Sequence, residues 1–241
     1  MAELSKPTLK KKSRFSEELI RECLHVIESG GIEDLFEIIP RIGVLRDARF
    51  YKPLLDLLSH KDAKKREFAA YSMGAMREPQ FLEPLKKAFR SAQDMKGSAA
   101  ENLLVAVIEA IGAIGDDAAV EFFLPMLKEP GLERKSRKMP HWIVESLGAI
   151  AQQGGARSLD ALLELTWHQY PEIQAQALSE LSVAYWHRPN EIAASTLERI
   201  CALTHDRNSA VAQAALEALQ SLADVGCRLA ESLFCKSDNG I

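Results

Sequence analysis

The sequence predicts an all-α fold, a right-handed α-solenoid of about six stacked antiparallel helix pairs. Three observations lead there. First, one ending recurs: AAYSMG at Gly74, VIEAIG at Gly112, IVESLG at Gly148, ALSELS at Ser182 and ALEALQ at Gln220. The intervals are 38, 36, 34 and 38 residues, and a weaker copy, FEIIPRIG, ends at Gly43, 31 residues before Gly74. Second, apolar residues recur at the helical period twice within each interval. Third, Gly, Pro and Asp punctuate between those runs, at Gly30-Gly31, Glu78-Pro79, Gly115-Asp116-Asp117, Gly154-Gly155 and Arg188-Pro189. No alternating pattern argues for a strand.

The units follow in order. Glu17–Glu28 pairs with Ile32–Gly43. Phe50, Leu54, Leu55, Leu57 and Leu58 then stripe a first helix. Its partner follows Asp62, whose carboxylate can accept the first free N–H groups of a helix that carries Phe68, Ala69, Ala70, Met73 and Met76. Next come Phe81–Phe89 with Ala99–Ile114, Val120–Leu127 with Arg134–Ala151, Leu159–His168 with Ile173–Trp186, and Ile192–Thr204 with Val211–Val225. Alanines crowd the second helices (Ala69, Ala70, Ala110, Ala177, Ala214, Ala215, Ala218), where small side chains let neighbouring backbones approach. The organisation expected is a basic N-terminal arm over 1–14, one domain over 15–235 and a polar tail over 236–241.

Composition narrows the class. With 47% hydrophobic, 27% charged and 7% aromatic residues, the chain is neither disordered nor collagen-like. Its longest apolar stretch, Leu103 to Gly115, carries Glu109 and falls short of the roughly 20 residues that a bilayer demands, so no membrane span is expected. The opening MAELSKPTLKKKSRF leads into no apolar run, unlike a secretory signal. Cys23, Cys201, Cys227 and Cys235 are too scattered for a disulfide framework, and a cytoplasmic setting is expected. Residues 1–138 hold 24 basic and 22 acidic residues, net +2, while 139–241 hold 6 and 12, net −6. The two ends therefore offer a charged partner different faces.

Asp62, Arg66, Ala69, Ala70 and Gly74 spell D-x-x-x-R-x-x-A-A-x-x-x-G, which resembles the HEAT repeat, and in particular the phycobilisome-lyase HEAT-like repeat. Later units keep the framework but lose the arginine: Leu104, Pro140, Gln174 and Ala212 stand at its position. The resemblance implies the helix-pair fold over nearly the whole chain and, for Arg66, a packing role between units. It also implies a possible bilin lyase or another chromophore-handling activity, for which His141, Arg137 and Lys138 beside Trp142 could meet the propionates. Some similar proteins cradle a DNA duplex on a basic face. This chain is acidic overall, and nucleic acid is not the expected partner.

No nucleophile, phosphate-loop or zinc-protease motif occurs, so no catalytic residue is assigned, and no cofactor is expected. Cys201 and His205 have the spacing of a metal pair on a helix, but no second pair accompanies them, and Cys201 sits among Leu197, Ile200 and Leu203 like a core residue. The expected function is a non-catalytic scaffold or adaptor that binds a partner protein. Glu109, Glu145 and Glu217 each stand three residues before the position that ends the recurring motif (Gly112, Gly148 and Gln220) and would form an acidic ladder on the inner face. Trp142, Tyr185 and Trp186 would add aromatic anchors there. Lys61, Lys64 and Lys65, then Lys86, Lys87, Arg90 and Lys96, then Arg134, Lys135, Arg137 and Lys138 would line the turn edge as a basic ridge for an acidic surface.

Overall fold

The computed structural model describes residues 14–129 and 138–238. Its described residues are helices and turns, with no strand among them. The helices are α1 (Arg14–Ser29), α2 (Ile32–Glu37), α3 (Ile39–Leu45), α4 (Tyr51–Leu58), α5 (Ala63–Met76), α6 (Leu82–Gln93) and α7 (Ser98–Ile114). They continue as α8 (Val120–Lys128), α9 (Met139–Gln152), α10 (Ala156–Leu165), α11 (Pro171–Ala184), α12 (Ala194–Leu203), α13 (Ser209–Asp224) and α14 (Arg228–Asp238).

The helices α3, α5, α7, α9, α11 and α13 each pack on the next, while α4, α6, α10 and α12 pack on the long helix that follows them. Local chemistry sets the starts. Asp62 accepts the Lys64 N–H at 2.9 Å, Asp116 the Ala118 N–H at 2.7 Å, and Asn208 the N–H groups of Ala210 and Val211. Pro140 and Pro171 occupy first turns, where a missing N–H costs nothing. The core is one continuous apolar cluster, with Phe50, Phe68, Phe81, Phe89 and Phe123 all fully buried.

Two elements differ from the sequence expectation. The span Ile32–Gly43 is broken at Ile38 into α2 and α3, because Pro40 offers no N–H and its ring crowds the carbonyl four residues back. At the other end, α14 packs on α12 and α13 and reaches Asp238, so helix continues into the segment expected to be a polar tail. Pro130, Gly131 and the basic residues that follow, with the 1–13 part of the basic arm, lie outside the described residues.

Polar side chains join consecutive units, and most run one way. The Ser146 hydroxyl donates to Ile108 O at 2.9 Å, Gln153 Nε2 to Gly112 O at 3.1 Å, Arg188 to Ala151 O at 2.6 Å and Arg199 to Thr166 O at 2.6 Å. In each case the later unit donates and the earlier one accepts. Lys86, which donates to Ala118 O at 3.4 Å, and Lys128, which donates to Glu164 Oε1 at 2.6 Å, run the other way.

Candidate functional site

Close helix approach creates the site. A Cβ built on Gly74 would meet Ala110 Cα at 2.7 Å, and one on Gly112 would meet Ser146 Cα at 3.0 Å. Backbones this close leave room for small residues only. Three residues before Gly74, Gly112 and Gly148 stand Tyr71 on α5, Glu109 on α7 and Glu145 on α9, the tyrosine half-buried and the two glutamates exposed. On α11 the pattern shifts. Ser179 takes that position, and the acid comes one residue later, at Glu180, where α7 has Ala110 and α9 has Ser146. The Glu180 carboxylate lies directly over Gly148, in space that any side chain at 148 would fill.

The electrostatics follow from this crowding. Burial pushes the Glu180 carboxyl up to about 7, and the negative charge of Glu145 adds to the effect, against a Gln176 Nε2 donation at 3.1 Å that opposes it. Burial also raises Glu109, with Glu145 contributing in the same direction. Tyr71 is raised by burial and then by Glu109 and Glu67. Glu145 is the hub, because its charge reaches both Glu109 and Glu180 and its Oε2 lies 4.0 Å from His141 Nε2.

Beside this row runs a groove of about 320 Å³, lined by Arg77, Glu109, Ala113, Trp142, Glu145 and Gln152 among others. Gln152 and Gln153 also line a smaller recess of about 260 Å³ with Val183, His187 and Arg188. A separate cavity of about 440 Å³ between the first turns of α9 and α11 is lined by Pro140, His141, Val144, Tyr170, Ile173 and Gln176.

Of the inner-face residues singled out from the sequence, Glu109, Glu145 and Trp142 therefore come together on one groove. The other three do not. Glu217 stands on α13 and accepts from Gln213 Nε2 at 2.8 Å. Tyr185 is only 9% exposed, with the Arg188 guanidinium 5.8 Å from its ring centre, which leaves little of the ring for a partner. Trp186 is half exposed but lines none of these cavities. Glu180, Arg77, Gln152 and Gln153 were not singled out. A one-residue shift turns a side chain about 100° around a helix, and reading ALSELS against VIEAIG and IVESLG for that shift would have isolated Glu180.

The basic edge is partly compensated. Lys61 and Lys138 are exposed, Lys65 is half-buried, and Lys64 Nζ lies 2.7 Å from the Oε2 of buried Glu67. Arg134, Lys135 and Arg137 lie outside the described residues. Lys86 does not belong to an exposed ridge: it is 9% exposed, 3.0 Å from Glu83 and 5.6 Å from the centre of the Phe122 ring. Arg66 donates to His60 O at 2.8 Å and Lys61 O at 3.1 Å, holding the α4–α5 turn. No group of three or more potential ligands with metal-site geometry occurs among the described residues. No described helix is long and apolar enough to cross a membrane.

No family model matches the chain, and no curated protein does. Among solved structures, the chain is similar to an engineered protein that was a Northeast Structural Genomics Consortium target, at 19% identity and a TM-score of 0.37, over 89% of this chain and 98% of that one. A likeness at this level carries no argument about fold or function.

Proposed function

We propose that the chain is a HEAT-like α-solenoid and a non-catalytic adaptor, which holds a basic segment of a partner protein along the row Glu109–Glu145–Glu180. The observation that carries this reading is one groove that brings together Trp142, Glu109 and Glu145, an aromatic anchor beside clustered carboxylates. A basic partner side chain placed there would relieve the repulsion that Glu145 exerts on both of its neighbours. The helix-pair array supplies a preformed surface, and a contact of about 800 Å² per partner would need little rearrangement. The second surface, the basic turn edge at Lys61, Lys65 and Lys138, would suit an acidic region.

The test compares the native chain with the double variant Glu109→Gln, Glu145→Gln in pull-downs from source lysate, after nuclease treatment and at low and high salt. A stoichiometric partner held by the native chain and lost by the double variant is the expected result. Equal recovery by both would overturn the reading. A coloured eluate would instead favour the chromophore-handling activity that the repeat resemblance implies.

A further inference from the structure

A second groove, of about 810 Å³, lies between α4 and α6. Its walls are apolar where they should face water: Leu55 and Met95, both lining it, are each 39% exposed, above a floor that includes Leu58 and Leu103. Its rim carries Arg66, Lys87 and Arg90, with His60 at one end. None of these three cations has a carboxylate partner among the described residues. Arg66 spends its Nη1 hydrogens on two carbonyls and turns Nη2 toward the Met95 sulfur at 4.0 Å, while Arg90 rests on the Phe122 ring at 5.4 Å. The single carboxylate of the lining, Glu83, is already bonded to Lys86 Nζ at 3.0 Å. The groove is thus apolar and uncompensated in positive charge at once, within a chain of net charge −4.

We propose that this groove binds an acidic peptide segment of a partner protein through alternating carboxylates and apolar side chains. The lining runs along α6 from Glu83 to Ser91, about 12 Å at the helical rise, which admits a short extended or helical segment. Carboxylates would meet Lys87, Arg66 and Arg90, and the apolar residues would cover Leu55 and Met95. A nucleic acid fits less well, because the lining offers no Phe, Tyr or Trp ring for a base, its one imidazole, His60, is tied to the Asp62 N–H at 3.0 Å, and the nearby Phe122 ring is taken by Lys86 and Arg90. This deepens the adaptor reading by naming the chemistry of a second contact, and it rests on that reading. The residues varied below differ from Glu109 and Glu145, so either proposal can fail alone.

The probe is a fluorescein-labelled peptide alternating glutamate and leucine, titrated with the full chain at low salt and read by anisotropy. The native chain should bind it. Lys87→Glu should weaken binding about tenfold, the equivalent of about 1.4 kcal/mol, and Leu55→Ser severalfold. Arg207→Glu, the same charge change at an exposed residue remote in sequence, should leave it unchanged. Both varied side chains are exposed, and a circular dichroism spectrum matching the native chain is the check that each variant folds. No binding by the native chain would overturn the proposal, and so would equal weakening by Arg207→Glu or equal affinity for a leucine-free glutamate peptide.

Discussion

Where α5 meets α7, Gly74 faces the backbone of Ala110. Where α9 meets α11, Gly148 faces the carboxylate of Glu180. Both glycines serve the same end, room for a neighbouring helix, yet one spends that room on close backbone contact and the other on a half-buried carboxyl. The first junction is rigid because nothing in it can swing away. The second holds a group whose proton decides how comfortable the packing is. Equivalent repeat positions thus contrast a junction filled by backbone with one filled by a carboxyl that burial and Glu145 push up to about 7.

The sharpest way to break this comparison is Ala110→Leu. Ala110 is 2% exposed against Gly74, and the added carbons should cost up to about 3 kcal/mol by overpacking. A urea midpoint that does not move would remove Ala110 from the tight junction. Gly74→Ala should come next. Better helix propensity returns about 1 kcal/mol, but the new Cβ meets backbone that cannot rotate aside, so a net loss of about 1–2 kcal/mol is expected by denaturant unfolding.

Glu180→Gln tests the other junction. The folded chain holds the Glu180 proton more tightly than the unfolded chain, which has the ordinary value of 4.5. That stabilisation is fully present below about pH 4.5 and is lost as the pH rises through about 7. The glutamine variant should therefore match the native chain at acidic pH and exceed it by about 1 kcal/mol at pH 8, a figure discounted for the partial exposure of the carboxyl. Thermal melts across that range check it, and parallel curves would refute a shared role for Glu145 and Glu180. The smallest effect belongs to Gly148→Ala, which meets mainly the flexible end of Glu180. It should change stability by less than about 1 kcal/mol, well below Gly74→Ala. If the two glycines cost the same, the distinction between the junctions fails.

Much of the helix order was readable because apolar period and turn residues act locally. Asp62, one helical turn and a half ahead of Phe68, Ala69 and Ala70, fixes the start of α5, and the recurring small residues mark where each long helix is approached. What escaped needed information from a neighbour. The helix α14 follows the last repeat with no partner helix after it among the described residues and lacks the small-residue ending. Lys86 reads as a surface charge until the Phe122 ring and the Ala118 carbonyl arrive from the next unit. Glu180 looks like any solvated acid until Gly148 leaves a hole above it. Trp142 was placed on a groove by its own helix face, whereas Tyr185 was hidden by Arg188, three residues on in the chain.

The prevailing run of side-chain donors from later to earlier units makes the two ends of the chain unequal. Removing the first unit strands donors such as Gln153 and Arg188 only when their own acceptors go, and these long side chains can turn to water. Loss of a later unit does something different: Gly112, Ala151 and Thr166 lose the second donor to their carbonyls and keep only the local one, from Gly115, Gly154 and Gln174. The last of these donors stands on α12, so α13 and α14 can part from the stack without touching any of the three, and the cost begins only behind them.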